Sequence, residues 1–169
     1  LAITEERERY TNKKGIGIKE LCWNPHVINQ DGNKVFYQRD FVWTLEDNQN
    51  LIDSIYLGID CGKILVRKRS WAEVDKQDEP AFNDIVDGKQ RLNAIRGFIL
   101  NEYPDSQGNY YRDLSDSAQH QLTNHQLFSF GELPEDSKDQ DVIEQFLRLN
   151  FCGVPQSKEH IEFVKSIKV

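Results

Sequence analysis

The chain has 169 residues, long enough for one domain with a real core, and it is 38% hydrophobic and 29% charged. No apolar run approaches the ~20 residues of a membrane span, and the charged start Leu1–Arg9 lacks the form of a signal peptide. A net charge of −7 argues against a domain that grips nucleic acid over its whole surface, so any DNA contact is local or made by another domain.

Cys22, Cys61 and Cys152 are scattered, with no C-x-x-C spacing, and read as reduced thiols in a cytoplasmic protein. His26, His120, His125 and His160 form no metal-binding pattern, which sets a zinc site aside. Methionine is absent throughout.

In chain order, residues 1–15 read as a short helix or arm. Ile16 to Ile28 alternates weakly around Trp23-Asn24-Pro25, a strand and a turn. Gln30-Asp31-Gly32-Asn33 is a turn between extended runs, with Lys34–Tyr37 as the strand that follows. A helix begins after Thr44, whose hydroxyl and Asp47 make a capping box. Leu45, Leu51, Ile52, Ile55 and Tyr56 form its apolar face, and Leu57-Gly58 ends it. Lys63–Arg69 is a strand whose basic end reads as a solvated edge. Residues 70–80 read as an acidic surface insertion.

Ala81–Val86 is strand-like and Leu92–Leu100 helix-like. Asn101–Asp113 reads as a loop, Leu114-Ser115-Asp116 as the start of a short polar helix, and Gln126–Phe130 as a short strand. Ser137 and Gln140 suggest a capping box for a helix with Val142, Ile143, Phe146, Leu147 and Leu149 inward. After a break at Asn150–Pro155, Ser157 starts a last helix with Ile161, Val164 and Ile167 inward. That helix runs into the chain end, so the expectation is one domain over 1–169, core about 30–167, taken from a longer protein. Strands alternate irregularly with helices and the second half is helix-rich, which reads as α+β with a small mixed sheet and flanking helices.

Between strand and helix lies Asp87-Gly88-Lys89-Gln90-Arg91. A strand feeding a helix through a Gly turn gathers backbone N–H groups and the positive end of the helix dipole at one point, which suits an anion and phosphate above all. Lys89 and Arg91 add positive charge, and Asp87 adds a carboxylate able to hold a metal or orient water. The same residues also fit an ordinary strand–turn–helix joint with solvated charges. Two further charged clusters sit at element boundaries: Tyr37-Gln38-Arg39, and Phe146-Leu147-Arg148-Leu149-Asn150, in which Phe146 and Leu149 face inward and Arg148 and Asn150 lie off the core face. Taken singly, Arg39 fits an edge-strand charge and Arg148 a solvated helix residue.

These segments together resemble the GmrSD-type restriction endonuclease N-terminal domain, of the ParB/sulfiredoxin-like superfamily. Its hallmark is D-G-Q-Q-R at a helix start, preceded by Y-Q-R-x-[YF]-V-W and L-I-D-S-I and followed by F-x-R-L-N with a Gly-containing turn. The chain has Tyr37-Gln38-Arg39-Asp40-Phe41-Val42-Trp43, Leu51-Ile52-Asp53-Ser54-Ile55, Asp87–Arg91, and Phe146–Asn150 with Gly153-Val154-Pro155, in that order. It departs at Lys89, which replaces the first Gln, at Asp40, where many relatives have Pro, and at Phe151-Cys152, where small residues are usual.

The resemblance implies a ParB-like fold and a regulatory domain that binds and hydrolyses nucleotide in a prokaryotic anti-phage restriction system. It implies a nucleoside triphosphate and Mg²⁺ as cofactors, with Asp87 and Arg91 catalytic and Asp87 on the metal. Gln38, Arg39, Gly88, Lys89, Gln90, Arg148 and Asn150 would bind the nucleotide. The implied partners are DNA, reached through another domain, and a C-terminal or separate nuclease domain; no nuclease motif stands in this chain. A non-catalytic DNA-binding module is the alternative. Direct DNA cleavage ranks lower, because it needs paired carboxylates on metal and strand alternation sends Asp84 and Asp87 to opposite faces. Sulfiredoxin chemistry needs a Cys at the helix start, and none is there.

Overall fold

The structure, a computed structural model, describes residues 21–69, 83–124, 128–134, 136–152 and 157–169, with backbone alone at 121, 123, 124 and 150–152. The predicted N-terminal arm and the 70–80 insertion lie outside these residues. The chain forms two compact units interleaved in sequence. Among the described residues, the first unit comprises Phe41–Ile64 and Gly88–Phe130, and the second Leu21–Asp40, Leu65–Asp87 and the chain from Gly131. No helix among the described residues is long and apolar enough to cross a membrane.

The first unit is helical. Helix α1 (Leu45–Tyr56) starts at the predicted capping box: the Thr44 side chain accepts from the Asp47 N–H, and the Asp47 carboxylate accepts from the Thr44 N–H at 2.8 Å. Gly58 follows the helix at φ 70°, a left-handed conformation that Gly adopts without steric cost. Only part of the predicted apolar face is covered. Leu51 and Ile52 are buried, whereas Leu45 and Tyr56 are exposed. Helix α2 (Lys89–Ile99) packs against α1 and buries Leu92, Ile95 and Phe98. The Phe98 ring meets Tyr103 and Tyr111, the latter in a 3₁₀ turn at Tyr111–Asp113. The loop before that turn is organised by Asp105, which is buried and whose carboxylate accepts from the Gln107 and Asn109 N–H groups at 3.0 and 2.8 Å. Gln49 of α1 donates to the Pro104 and Asp105 carbonyls. Helix α3 (Asp116–Asn124) follows, with the Ala118 N–H donated to the Ser115 hydroxyl.

The second unit holds most of the strand residues. Strands β1 (Leu21–Cys22), β4 (Lys63–Lys68), β5 (Asn83–Asp87) and β6 (Ser129–Glu132) form one sheet in the order β1-β5-β4-β6. β1 and β5 are parallel and β4 and β5 antiparallel, so the sheet is mixed. Strands β2 (His26–Ile28) and β3 (Lys34–Phe36) form an antiparallel pair around the predicted turn, where Gly32 has φ 80°. Helix α4 (Asp139–Cys152) begins two residues beyond the predicted Ser137 cap; the Lys138 N–H is donated instead to the Asp141 carboxylate at 2.8 Å. Helix α5 (Lys158–Ser166) is capped by Ser157, as its sequence predicts. The core gathers Val27, Tyr37, Val86, Leu133, Val142, Ile143, Phe146 and Val164. Leu147 packs against it, while Leu149 is exposed, against expectation.

The predicted basic edge of β4 is also corrected. β4 lies inside the sheet rather than on its rim, and Arg67 and Arg69 are buried. Arg67 Nε and Nη2 bind Asp84 Oδ2 at 3.2 and 2.8 Å, and Arg69 Nε binds Asp84 Oδ1 at 2.6 Å. Arg67 Nη1 also pairs with Asp139, whose other oxygen accepts from the Ile28 N–H. Two guanidiniums and two carboxylates thus satisfy one another within the unit. Burial by itself would lower the Arg67 pKa, but Asp84 and Asp139 outweigh it and hold the guanidinium more firmly charged than usual.

Candidate functional site

The first turn of α2 is built around Gly88. This residue is buried with φ 99°, and a Cβ here would stand 2.2 Å from Ile64 Cδ1. Glycine is therefore required twice, by conformation and by space. The helix starts with no side-chain cap and no acidic residue in its first turn, a polarity that favours an approaching anion.

The three residues after Gly88 are each engaged. Lys89 is buried rather than solvated: it is 5% exposed, with its ammonium 4.8 Å from the centroid of the Phe41 ring. Gln90 Oε1 accepts from the Val42 N–H at 3.1 Å and the Trp43 N–H at 3.4 Å. Arg91 donates Nη1 to the Cys61 carbonyl at 2.7 Å and Nη2 to the Lys63 carbonyl at 3.0 Å. Its guanidinium also lies 5.9 Å from the Phe128 ring centroid. The Arg91 side chain passes so close to Gly62 that a Cβ there would lie 2.7 Å from Nη1.

The second unit carries the other predicted residues. Gln38 Nε2 donates to the Ile85 and Val86 carbonyls of β5 at 2.6 and 3.0 Å. Tyr37 is fully buried and meets the Phe146 ring edge-on at 5.3 Å. Burial, followed by the Asp84 carboxylate, pushes its phenol well above the usual range. His160 Nε2 lies 3.1 Å from the Tyr37 carbonyl. Burial holds its imidazole below the ordinary value, with the Arg39 charge acting in the same direction and the Tyr37 carbonyl opposing. Tyr37 and Gln38 therefore meet the end of β5 and the Phe146 region of α4.

Asp87 closes β5 opposite Leu65 and is half-buried. Arg148 is exposed and paired with Glu144 one turn earlier. Asn150 lies in the last turn of α4, its side chain outside the described part. Among the described residues no group of three or more His, Cys, Asp or Glu side chains is placed to hold a metal. Asp84 is enclosed by its two arginines. A lone Asp87 fits Mg²⁺ only in the manner usual for that ion, as one carboxylate beside phosphate oxygens and water.

Residues 31–166 match the family of the GmrSD restriction endonuclease, N-terminal domain. The chain belongs to that family. No curated protein and no solved structure matches it, so its α+β fold with a small mixed sheet rests on the structure described above. Membership in the GmrSD family ties the chain to DNA restriction.

Within this GmrSD N-terminal domain the sequence motifs locate Asp87–Arg91, but they omit what those side chains hold. Val42 and Trp43 are motif letters, but the use of their amides is not read from the motif, and the carbonyls of Cys61 and Lys63, Gly62 and the packing atom of Ile64 are missing from it altogether. Gly62 was the one visible signal, an isolated glycine just before a strand. His160 carried no signal, because its partner is a backbone carbonyl.

Proposed function

We propose that this domain is the nucleotide-binding and nucleotide-hydrolysing regulatory part of a prokaryotic anti-phage restriction system. The observation that carries the reading is the start of α2: a left-handed Gly88, no side-chain cap, no acid in the first turn, and Lys89 and Arg91 in that turn. Helix polarity and fixed positive charge then attract phosphate to one end of one helix. Lys89, seated on the Phe41 ring, and Arg91, anchored on two carbonyls, supply that charge without needing rearrangement. Asp87, the preceding residue, would hold Mg²⁺, which when bound neutralises phosphate charge.

In this reading Gln38 fixes the end of β5 that carries Asp87, and Arg39, Arg148 and Asn150 are the further candidates for nucleotide contact. The overall charge of −7 leaves DNA contact to another domain or partner, which would also carry the nuclease. The setting is the cytoplasm.

The test is calorimetric titration with ATP and GTP in Mg²⁺, on wild-type protein and on Asp87→Asn. Binding by the wild type, weakened roughly tenfold or more in the variant at an unchanged unfolding midpoint, is the expected result. A wild type that binds neither nucleotide, or a variant that binds as well as wild type, rejects the reading.

A further inference from the structure

Gln90 and Arg91 engage the two chain segments that bracket α1. Gln90 holds the amides of Val42 and Trp43 just before the helix. Arg91 holds the carbonyls of Cys61 and Lys63 in the segment after it. Both interactions come from the first turn of α2, and both are long-range, 47–48 residues away for Gln90 and 28–30 for Arg91. The chemistry is matched in each case. An amide oxygen with two lone pairs takes two N–H donors, and a planar guanidinium fork takes two carbonyls. Gly62, at φ 90°, lets the backbone reach Arg91 where any side chain would collide with Nη1.

We infer that Gln90 and Arg91 are positioning residues that lock both flanks of α1 onto the start of α2. The segment that Gln90 holds carries Phe41, the ring on which Lys89 rests. Releasing that segment would therefore loosen the seat of the Lys89 charge as well. The consequence for ligand binding rests on the nucleotide reading above; the locking itself does not.

Gln90→Glu and Gln90→Ala separate the roles. Glutamate keeps two acceptor oxygens for the Val42 and Trp43 amides but puts a negative charge beside any bound phosphate; alanine removes the acceptor. Amide hydrogen exchange at Val42 and Trp43, measured without ligand, is expected to stay near wild type in Gln90→Glu and to speed up by roughly tenfold in Gln90→Ala. Equal exchange in wild type and Gln90→Ala overturns the locking. Nucleotide titration of Gln90→Ala gives the second readout, with affinity expected to fall roughly tenfold or more alongside the faster exchange; affinity equal to wild type despite exposed amides overturns the positioning role. If the wild type binds no nucleotide, the nucleotide reading fails while the exchange result still decides the locking. For Arg91, replacement by Gln keeps a donor for one carbonyl and removes the charge. Amide exchange at Gly62 and Ile64, measured without ligand, is expected to speed up severalfold in Arg91→Gln, and exchange equal to wild type overturns the lock on that flank.

Discussion

Two clusters of basic residues in this chain solve the same electrostatic problem differently. In the sheet of the second unit, Arg67 and Arg69 are buried against Asp84 and Asp139, charge against charge. In the first turn of α2, Lys89 rests on an aromatic ring and Arg91 on two backbone carbonyls. The first arrangement neutralises itself and leaves little field for a ligand. The second engages a ring face and two backbone carbonyls, groups without formal charge, at a helix start. Basic residues in sequence therefore say little about anion binding until their partners are known.

The comparison breaks most visibly at Asp84. Asp84→Asn leaves two buried guanidiniums short of their counter-ion, and urea unfolding is expected to show a loss of about 3–5 kcal/mol. A loss below ~1 kcal/mol would mean that the network behaves as a solvated one. Next is Gly88→Ala, which forces a Cβ against Ile64 at an unfavourable φ. It is expected to destabilise by about 2–4 kcal/mol, with part of the loss recovered when Ile64→Val removes the colliding Cδ1. No recovery in the double variant would place the strain in the backbone alone.

Histidine titration gives a smaller effect. His26 and His160 both have imidazoles held below their ordinary value of 6.5, first by burial. The unfolded chain then binds protons more readily than the folded one. Their stabilisation is complete above pH 6.5 and is lost as pH falls through the lower folded values. Unfolding midpoints measured from pH 7.5 down to 5 should decline, and His160→Gln should flatten the decline. An equally steep profile in that variant would exclude His160 as a source. The smallest effect is expected at Arg148, whose pair with Glu144 is exposed. Arg148→Ala should change stability by no more than about 0.5 kcal/mol, so any loss of nucleotide affinity in that variant reports on contact rather than on folding.

Local chemistry determined much of this protein from sequence. The Thr44–Asp47 capping box, the Ser157 cap, the Gly32 turn, the helix stop at Gly58 and the Gly88 joint are short-range devices. Each acts within a few residues, so each is legible in a short window. The order of the motifs also placed the chain in its family. Only the tertiary structure decided what the charged side chains do. A β4 flanked by β5 and β6 turned a predicted solvated edge into a buried ion-pair network, because strand order is a long-range property. Of the expected inward residues of α4, Leu147 packs against the core and Leu149 stays exposed, since the covering surface, not the helical period, sets which residue is inward. The roles of Gln90 and Arg91 were equally out of reach. Their partners are backbone amides and carbonyls far along the chain, groups that every residue carries and that no sequence pattern can single out.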